Sequence, residues 1–109
     1  MSEIATGRLY DLPPKSADEI FTDLVRAPGL RIERIVSHGQ RTPEGDWLEQ
    51  AEVEFVLLLA GAARLVFAEP AHVVDMRPGD WVDIPPHCRH RVDWTDETQP
   101  TVWLAVHRG

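Results

Sequence analysis

From Leu30 onward the chain alternates short apolar runs with turn residues. The runs span residues 30–36, 52–59, 62–67, 72–76, 80–84, 90–94 and 101–106, each rich in Val, Leu, Ile or Trp. Between them lie Gly39 to Gly45 with Pro43, Ala60-Gly61, Glu69-Pro70, Pro78-Gly79, Pro85-Pro86 and Asp96 to Pro100. Many short strands at roughly 8–12-residue spacing predict an all-β sandwich or barrel. The preceding stretch has another texture. Ser16-Ala17-Asp18-Glu19 has the form of a capping box, and Ile20, Phe21, Leu24 and Val25 follow at helical spacing until Ala27-Pro28-Gly29. This pattern predicts a short N-terminal helix of about two turns. The expected organisation is a single domain over 1–109, with an extension over 1–29 and a barrel over 30–107.

Two strands carry residues foreign to a plain core. In Val53-Glu54-Phe55-Val56-Leu57-Leu58-Leu59 every position but Glu54 is apolar, and period-two alternation puts Glu54 on the face of Val56 and Leu58. A carboxylate there is costly unless it is paired, binds a metal or opens onto a wet cavity. In His87-Cys88-Arg89-His90-Arg91-Val92, Arg89 and Arg91 take the solvent face, so Cys88, His90 and Val92 point inward. An inward acid and an inward imidazole on separate strands are the first candidates for a site.

Composition narrows the class. With 11 Lys+Arg against 18 Asp+Glu the formal net charge is −7, which argues against nucleic acid and against docking on anionic lipid. The longest apolar run is far short of a bilayer span, so no membrane partner is expected. Met1-Ser2-Glu3-Ile4-Ala5 does not read as a signal peptide. The lone Cys88 rules out an internal disulfide and fits a reducing cytoplasm. No nucleophile elbow, phosphate-cradling loop or dinucleotide fingerprint is present, so no nucleotide cofactor is expected.

Over residues 30–107 the sequence resembles the cupin superfamily, in particular its small single-domain bacterial members labelled sugar-phosphate-isomerase-like. The end of the first cupin motif is present as Glu54, six residues and Gly61. The second motif runs from Gly79-Asp80-Trp81 through Pro85 to His90 with matching spacing, and Trp47, Gln50 and Glu54 form the group's Trp-x-x-Gln-x-x-x-Glu stretch. The resemblance implies a cupin-type jelly-roll β-barrel with a metal site inside its mouth, and a homodimer. Both histidines of the first motif are absent, however; in the register preferred here Leu48 and Gln50 stand in their places. The glycine of the second motif is His87 and its terminal asparagine is Trp94.

The candidate site then comprises Glu54 and His90 as catalytic pair, joined by Gln50 and His87 as metal ligands. Trp47, Gln50, Cys88 and His107 are the candidates for the cavity wall. His107 shares a face with Trp103 and Ala105, though a solvated strand end is its plainer reading, as a turn is for His87. His38 and His72 read as surface. Two protein ligands alone bind a divalent ion weakly, so two functions stand side by side. One is a metal-dependent isomerase, lyase or dioxygenase type using zinc, iron, nickel or manganese on a small oxygen-bearing, sugar- or acid-like substrate. The other is a metal-free module that binds or senses a small molecule without turnover.

Overall fold

The structure, a computed structural model, describes residues 3–109. Eight strands follow in chain order: β1 (Ile20–Ala27), β2 (Leu30–Ser37), β3 (Val53–Ala60), β4 (Ala63–Ala68), β5 (Ala71–Met76), β6 (Trp81–Ile84), β7 (His90–Thr95) and β8 (Thr101–Arg108). The seven strands expected from the apolar runs are all present, each end within two residues. They form a five-stranded sheet in the order β1-β2-β8-β3-β6 and a three-stranded sheet in the order β5-β4-β7. Every pairing is antiparallel. Val56, Leu58, Trp103, Ala105 and Ile84 from the larger sheet share one core cluster with Ala63, Leu65, Phe67 and Met76 from the smaller. The two sheets therefore pack face to face.

The expected N-terminal helix is not formed, and among the described residues there is no helix at all. Residues 20–27 are instead strand β1, paired along β2 from Ile20↔Val36 to Ala27↔Leu30. Three causes favour the strand. Ile20, Phe21, Thr22 and Val25 are β-branched or aromatic, which suits a pleated sheet better than a two-turn helix. Pro28-Gly29 is a ready two-residue hairpin turn, with Gly29 at φ 70°, a conformation that favours glycine. The free edge of β2 then supplies hydrogen bonds that an isolated short helix could not match. Ser16 bonds the amide of Asp18 at 3.4 Å, not a helical amide three residues on.

Gly61 shows why the first motif ends in glycine. It sits at φ 84° between β3 and β4, and a Cβ there would lie 2.6 Å from Thr101 Cα. Only a hydrogen fits against β8 at that point. His87 occupies the second motif's glycine position and takes φ 59°, the left-handed geometry a glycine would adopt freely.

The register of three strands sets up the interior. Ile35 pairs with Trp103, and Trp103 with Leu58; one layer on, Glu33 pairs with Ala105, and Ala105 with Val56. In the next layer Arg31 pairs with His107, and His107 with Glu54. The inward face of the five-stranded sheet thus grades from apolar to polar along β2, β8 and β3. Strand β2 is buried on both faces at Glu33 and Arg34. The guanidinium of Arg34 reaches the backbone oxygens of Leu9 and Asp11, at 3.0 and 3.1 Å, so the N-terminal arm crosses its outer face.

Candidate functional site

Between the sheets lies a cavity of about 270 Å³. Its apolar lining includes Ile35, Val56, Leu65, Ile84, Val92 and Trp103. Its polar lining is Glu19, Glu33, Glu49, Gln50, Glu54, His90 and His107. Phe21, Leu48 and Glu49 are both part of the wall and exposed, so the cavity opens on their side.

His90 is the most firmly oriented of the polar groups. Its Nδ1 lies 2.8 Å from the backbone oxygen of Cys88, an acceptor only, so Nδ1 carries the hydrogen and donates. Its ring is tilted 31° to that of Phe67 with centroids 5.9 Å apart. The neighbouring strand segment is held by paired backbone bonds between Leu48 and His90, at 2.7 and 3.0 Å. Nε2 is left as an acceptor, facing Glu54 Oε1 across 3.9 Å. That gap is too long for a direct hydrogen bond.

Glu54 is the hub. The Gln50 amide nitrogen donates to Oε1 at 2.8 Å, and Oε2 lies 3.8 Å from His107 Nε2. His107 Nε2 in turn sits 2.9 Å from Glu33 Oε1 and donates to it, while its Nδ1 is buried with no partner. Glu33, His107, Glu54 and His90 therefore form a continuous acid–imidazole row. All four are nearly sealed from solvent, the side chain of Glu54 being the most open at 12%. A third carboxylate, Glu19, accepts from the Ser37 hydroxyl, and Ser37 accepts from Trp103 Nε1 at 3.1 Å. Burial pushes the Glu19 carboxyl above its ordinary range, with the Ser37 bond opposing that rise.

The structure brings together Glu54, His90, Gln50 and His107, and it leaves Trp47, His87 and Cys88 outside the cavity wall. His87 is well exposed, with Nδ1 3.3 Å from Glu49 Oε2 at the rim. Cys88 packs against the hydrophobic core, behind the loop that orients His90. Trp47 is half exposed, and the indole that does wall the cavity is that of Trp103. The plainer reading of His107 as a solvated strand end is overturned, since only 6% of it is exposed. His72 is exposed, as expected, and His38 is half-buried.

Sequence reasoning missed Glu33 and Glu19. Strand β2 alternates Arg31, Glu33, Ile35, Ser37 with Ile32, Arg34, Val36, so both faces are mixed and neither declares itself the inner one. Glu19 was assigned to a helix cap. Two-residue spacing from Phe21 was the signal available, once 20–27 is read as a strand.

The chain matches the family described as cupin domain over residues 34–107. It belongs to the cupin domain family. Among solved structures, a "putative mannose-6-phosphate isomerase" of Ralstonia eutropha JMP134 is 47% identical, covering 95% of this chain and 97% of that one with a TM-score of 0.91. A cupin superfamily protein of Desulfitobacterium hafniense DCB-2 shares the fold at 16% identity, covering 89% of this chain and 83% of that one with a TM-score of 0.72. An iron(II) HppE shares it at 18% identity, covering 82% of this cupin and 49% of that chain with a TM-score of 0.68. No curated protein sequence matched this cupin.

The HppE structure carries iron(II), whereas the donor set of this cupin is arranged otherwise. Among the described residues no group of three or more His, Cys, Asp and Glu is placed to hold a metal ion. The reason lies in the partners already taken. Gln50 turns its NH₂ to Glu54, so it offers no amide oxygen to a cation there. His107 Nε2 is engaged by Glu33, and His87 stands outside the wall. Glu54 and His90 alone converge with free lone pairs, and as arranged the residues do not fit a resident metal.

Proposed function

We propose that this cupin binds a small hydroxyl- or carbonyl-bearing molecule in the barrel cavity, with Glu54 and His90 as its proton-handling pair. The observation that carries the reading is the 3.9 Å gap between Glu54 Oε1 and His90 Nε2. Both atoms are acceptors inside a largely apolar chamber, and each lacks its own donor across the gap. A ligand hydroxyl there would donate its one proton to either atom, and a second hydroxyl of the same molecule could serve the other. Glu54 would take a proton from an O–H or from a carbon beside a carbonyl. His90 Nε2 would receive it and return it to the neighbouring atom. Isomerase- or lyase-type chemistry has the groups it needs, and the likeness to the Ralstonia structure supports that direction.

A second reading uses a divalent metal. The donor types at the polar end, two carboxylates and two imidazoles, are ones that zinc, iron, nickel or manganese accept. It would require His107 to give up Glu33. Elemental analysis of protein grown in metal-replete medium, with Tm measured before and after adding each metal, separates the two. No stoichiometric metal and no Tm rise in wild type sinks the metal reading. The binding reading is tested by a Tm screen of small polyols, sugars and hydroxy acids in EDTA. A positive shift absent from both Glu54→Gln and His90→Ala supports it, and shifts that persist in both variants overturn it.

A further inference from the structure

The cavity holds one sign of charge. Glu19, Glu33, Glu49 and Glu54 line it, and no Lys or Arg does. The nearest guanidinium, Arg31, lies 3.8 Å from Glu33 but is not part of the wall. Four carboxylates line the wall, against Arg31 beside Glu33 and, at the rim, His87 3.3 Å from Glu49. Low-dielectric surroundings make that imbalance felt more strongly than at a surface.

Hydrogen-bond capacity is just as one-sided. Most donors inside are engaged: one Gln50 amide hydrogen on Glu54, His107 Nε2 on Glu33, and the Ser37 hydroxyl on Glu19. What faces the open volume is acceptors, namely the remaining carboxylate lone pairs and His90 Nε2. Glu19 stands apart from the acid–imidazole row and adds a carboxyl to the same wall, with the Ser37 hydroxyl as its hydrogen-bond partner. Phe21 and Trp103 put two aromatic side chains on the wall of the same cavity.

Acceptors in excess of donors, carboxylates with no Lys or Arg on the wall, and aromatic surface together describe a receptor for an ammonium group. An ammonium brings donors and no acceptor, and it gains from aromatic faces as well as from carboxylates. A phosphate brings only acceptors and a like charge. We infer that the ligand of this cavity is a small amine-bearing molecule, of the amino-alcohol or amino-sugar class, and that phosphorylated compounds are excluded. The inference rests on the reading of the cavity as a small-molecule site and assigns that molecule its charge. It sets this cupin apart from what the name of its Ralstonia relative would suggest.

The test uses three probes on one carbon frame: mannosamine, mannose and mannose 6-phosphate, titrated at pH 7.5 in EDTA. Tm and the part of the tryptophan fluorescence lost in Trp103→Phe are the readouts. Mannosamine should bind about tenfold more tightly than mannose, roughly one charge-assisted hydrogen bond. Mannose 6-phosphate should leave both signals unmoved. The advantage of mannosamine should shrink with added salt and in both Glu19→Gln and Glu54→Gln. Equal responses to all three probes, or a preference for the phosphate, overturn the charge assignment and leave the small-molecule site standing. Binding of mannose or its phosphate only after a divalent metal is added overturns it in favour of the metal reading. Silence from every probe, with and without metal, overturns the charge assignment and the parent reading together.

Discussion

The two ends of the same three strands behave differently. Toward one end β2, β8 and β3 present Ile35, Trp103 and Leu58, which pack toward the smaller sheet, Ile35 and Trp103 also forming the apolar side of the cavity. Toward the other they present Glu33, His107 and Glu54, which pair with one another and leave acceptors facing a cavity. The backbone pairing is uninterrupted along β2 and β8. Along β2 and β8 the ends thus differ in side chains and not in pairing, while β3 shifts register against β8 between Leu58 and Ala60. A stable antiparallel frame carries a costly polar row because the apolar layers beside it supply the stability, an arrangement expected where function and not packing selects the residues.

The largest effect should come from damaging the packed end. Leu58 is fully buried, so Leu58→Ala should cost about 3 kcal/mol through lost burial and a cavity, lowering Tm by roughly 15 °C. Denaturant unfolding reads the loss, and whatever protein remains folded should still discriminate the three sugar probes. A loss of discrimination in the folded fraction would mean the two ends are not separable.

Breaking the polar row should cost less and harm binding more. His107→Ala removes the donor to Glu33 and leaves its buried Oε1 without a hydrogen bond, which should destabilise by about 2 kcal/mol. His107→Gln can keep a donor and should recover about half of that loss. If alanine and glutamine cost the same, the Glu33 bond contributes packing only.

His87 lies at the rim, outside the wall, in a left-handed conformation that a side chain disfavours. His87→Gly should therefore stabilise by up to about 1 kcal/mol, offset in part by the looser unfolded chain, with probe binding unchanged. Weakened binding would bring His87 back into the site.

Glu19 gives the smallest effect and the sharpest sign. Because burial raises its folded pKa above the ordinary 4.5, folding favours its protonated form. Its contribution to stability is fully present below the ordinary value and is lost as pH rises through the raised one. Glu19→Gln escapes that loss, so its Tm at neutral pH should exceed that of wild type by roughly a few degrees. The gain should vanish below about pH 4.5. A gain that stays constant with pH would mean that charge is not its cause.

Much of this was legible in the chain, and the gaps have physical causes. Alternation in β3 put Glu54 with Val56 and Leu58, and alternation in β7 turned His90 inward, because each strand had one plainly apolar or plainly charged face. The same logic failed on β2, where burial on both faces by the barrel and by residues 9–11 erased the contrast. It failed on residues 20–27 because their apolar positions satisfy a helical period locally, while the Pro28-Gly29 turn and the open edge of β2 favour the sheet.

The sequence by itself determined the seven strands from Leu30 onward, the glycine at position 61, the two motif remnants and an inward acid and imidazole. These follow from short-range sterics and from the period-two pleat. Only the tertiary structure decided that Glu54 meets His107 before His90, that Glu33 joins them, and that Glu19 is swung into the same chamber by a hairpin. Those meetings depend on strand register and edge pairing, which join residues as far apart as Glu33 and His107, and no local pattern in the chain encodes them.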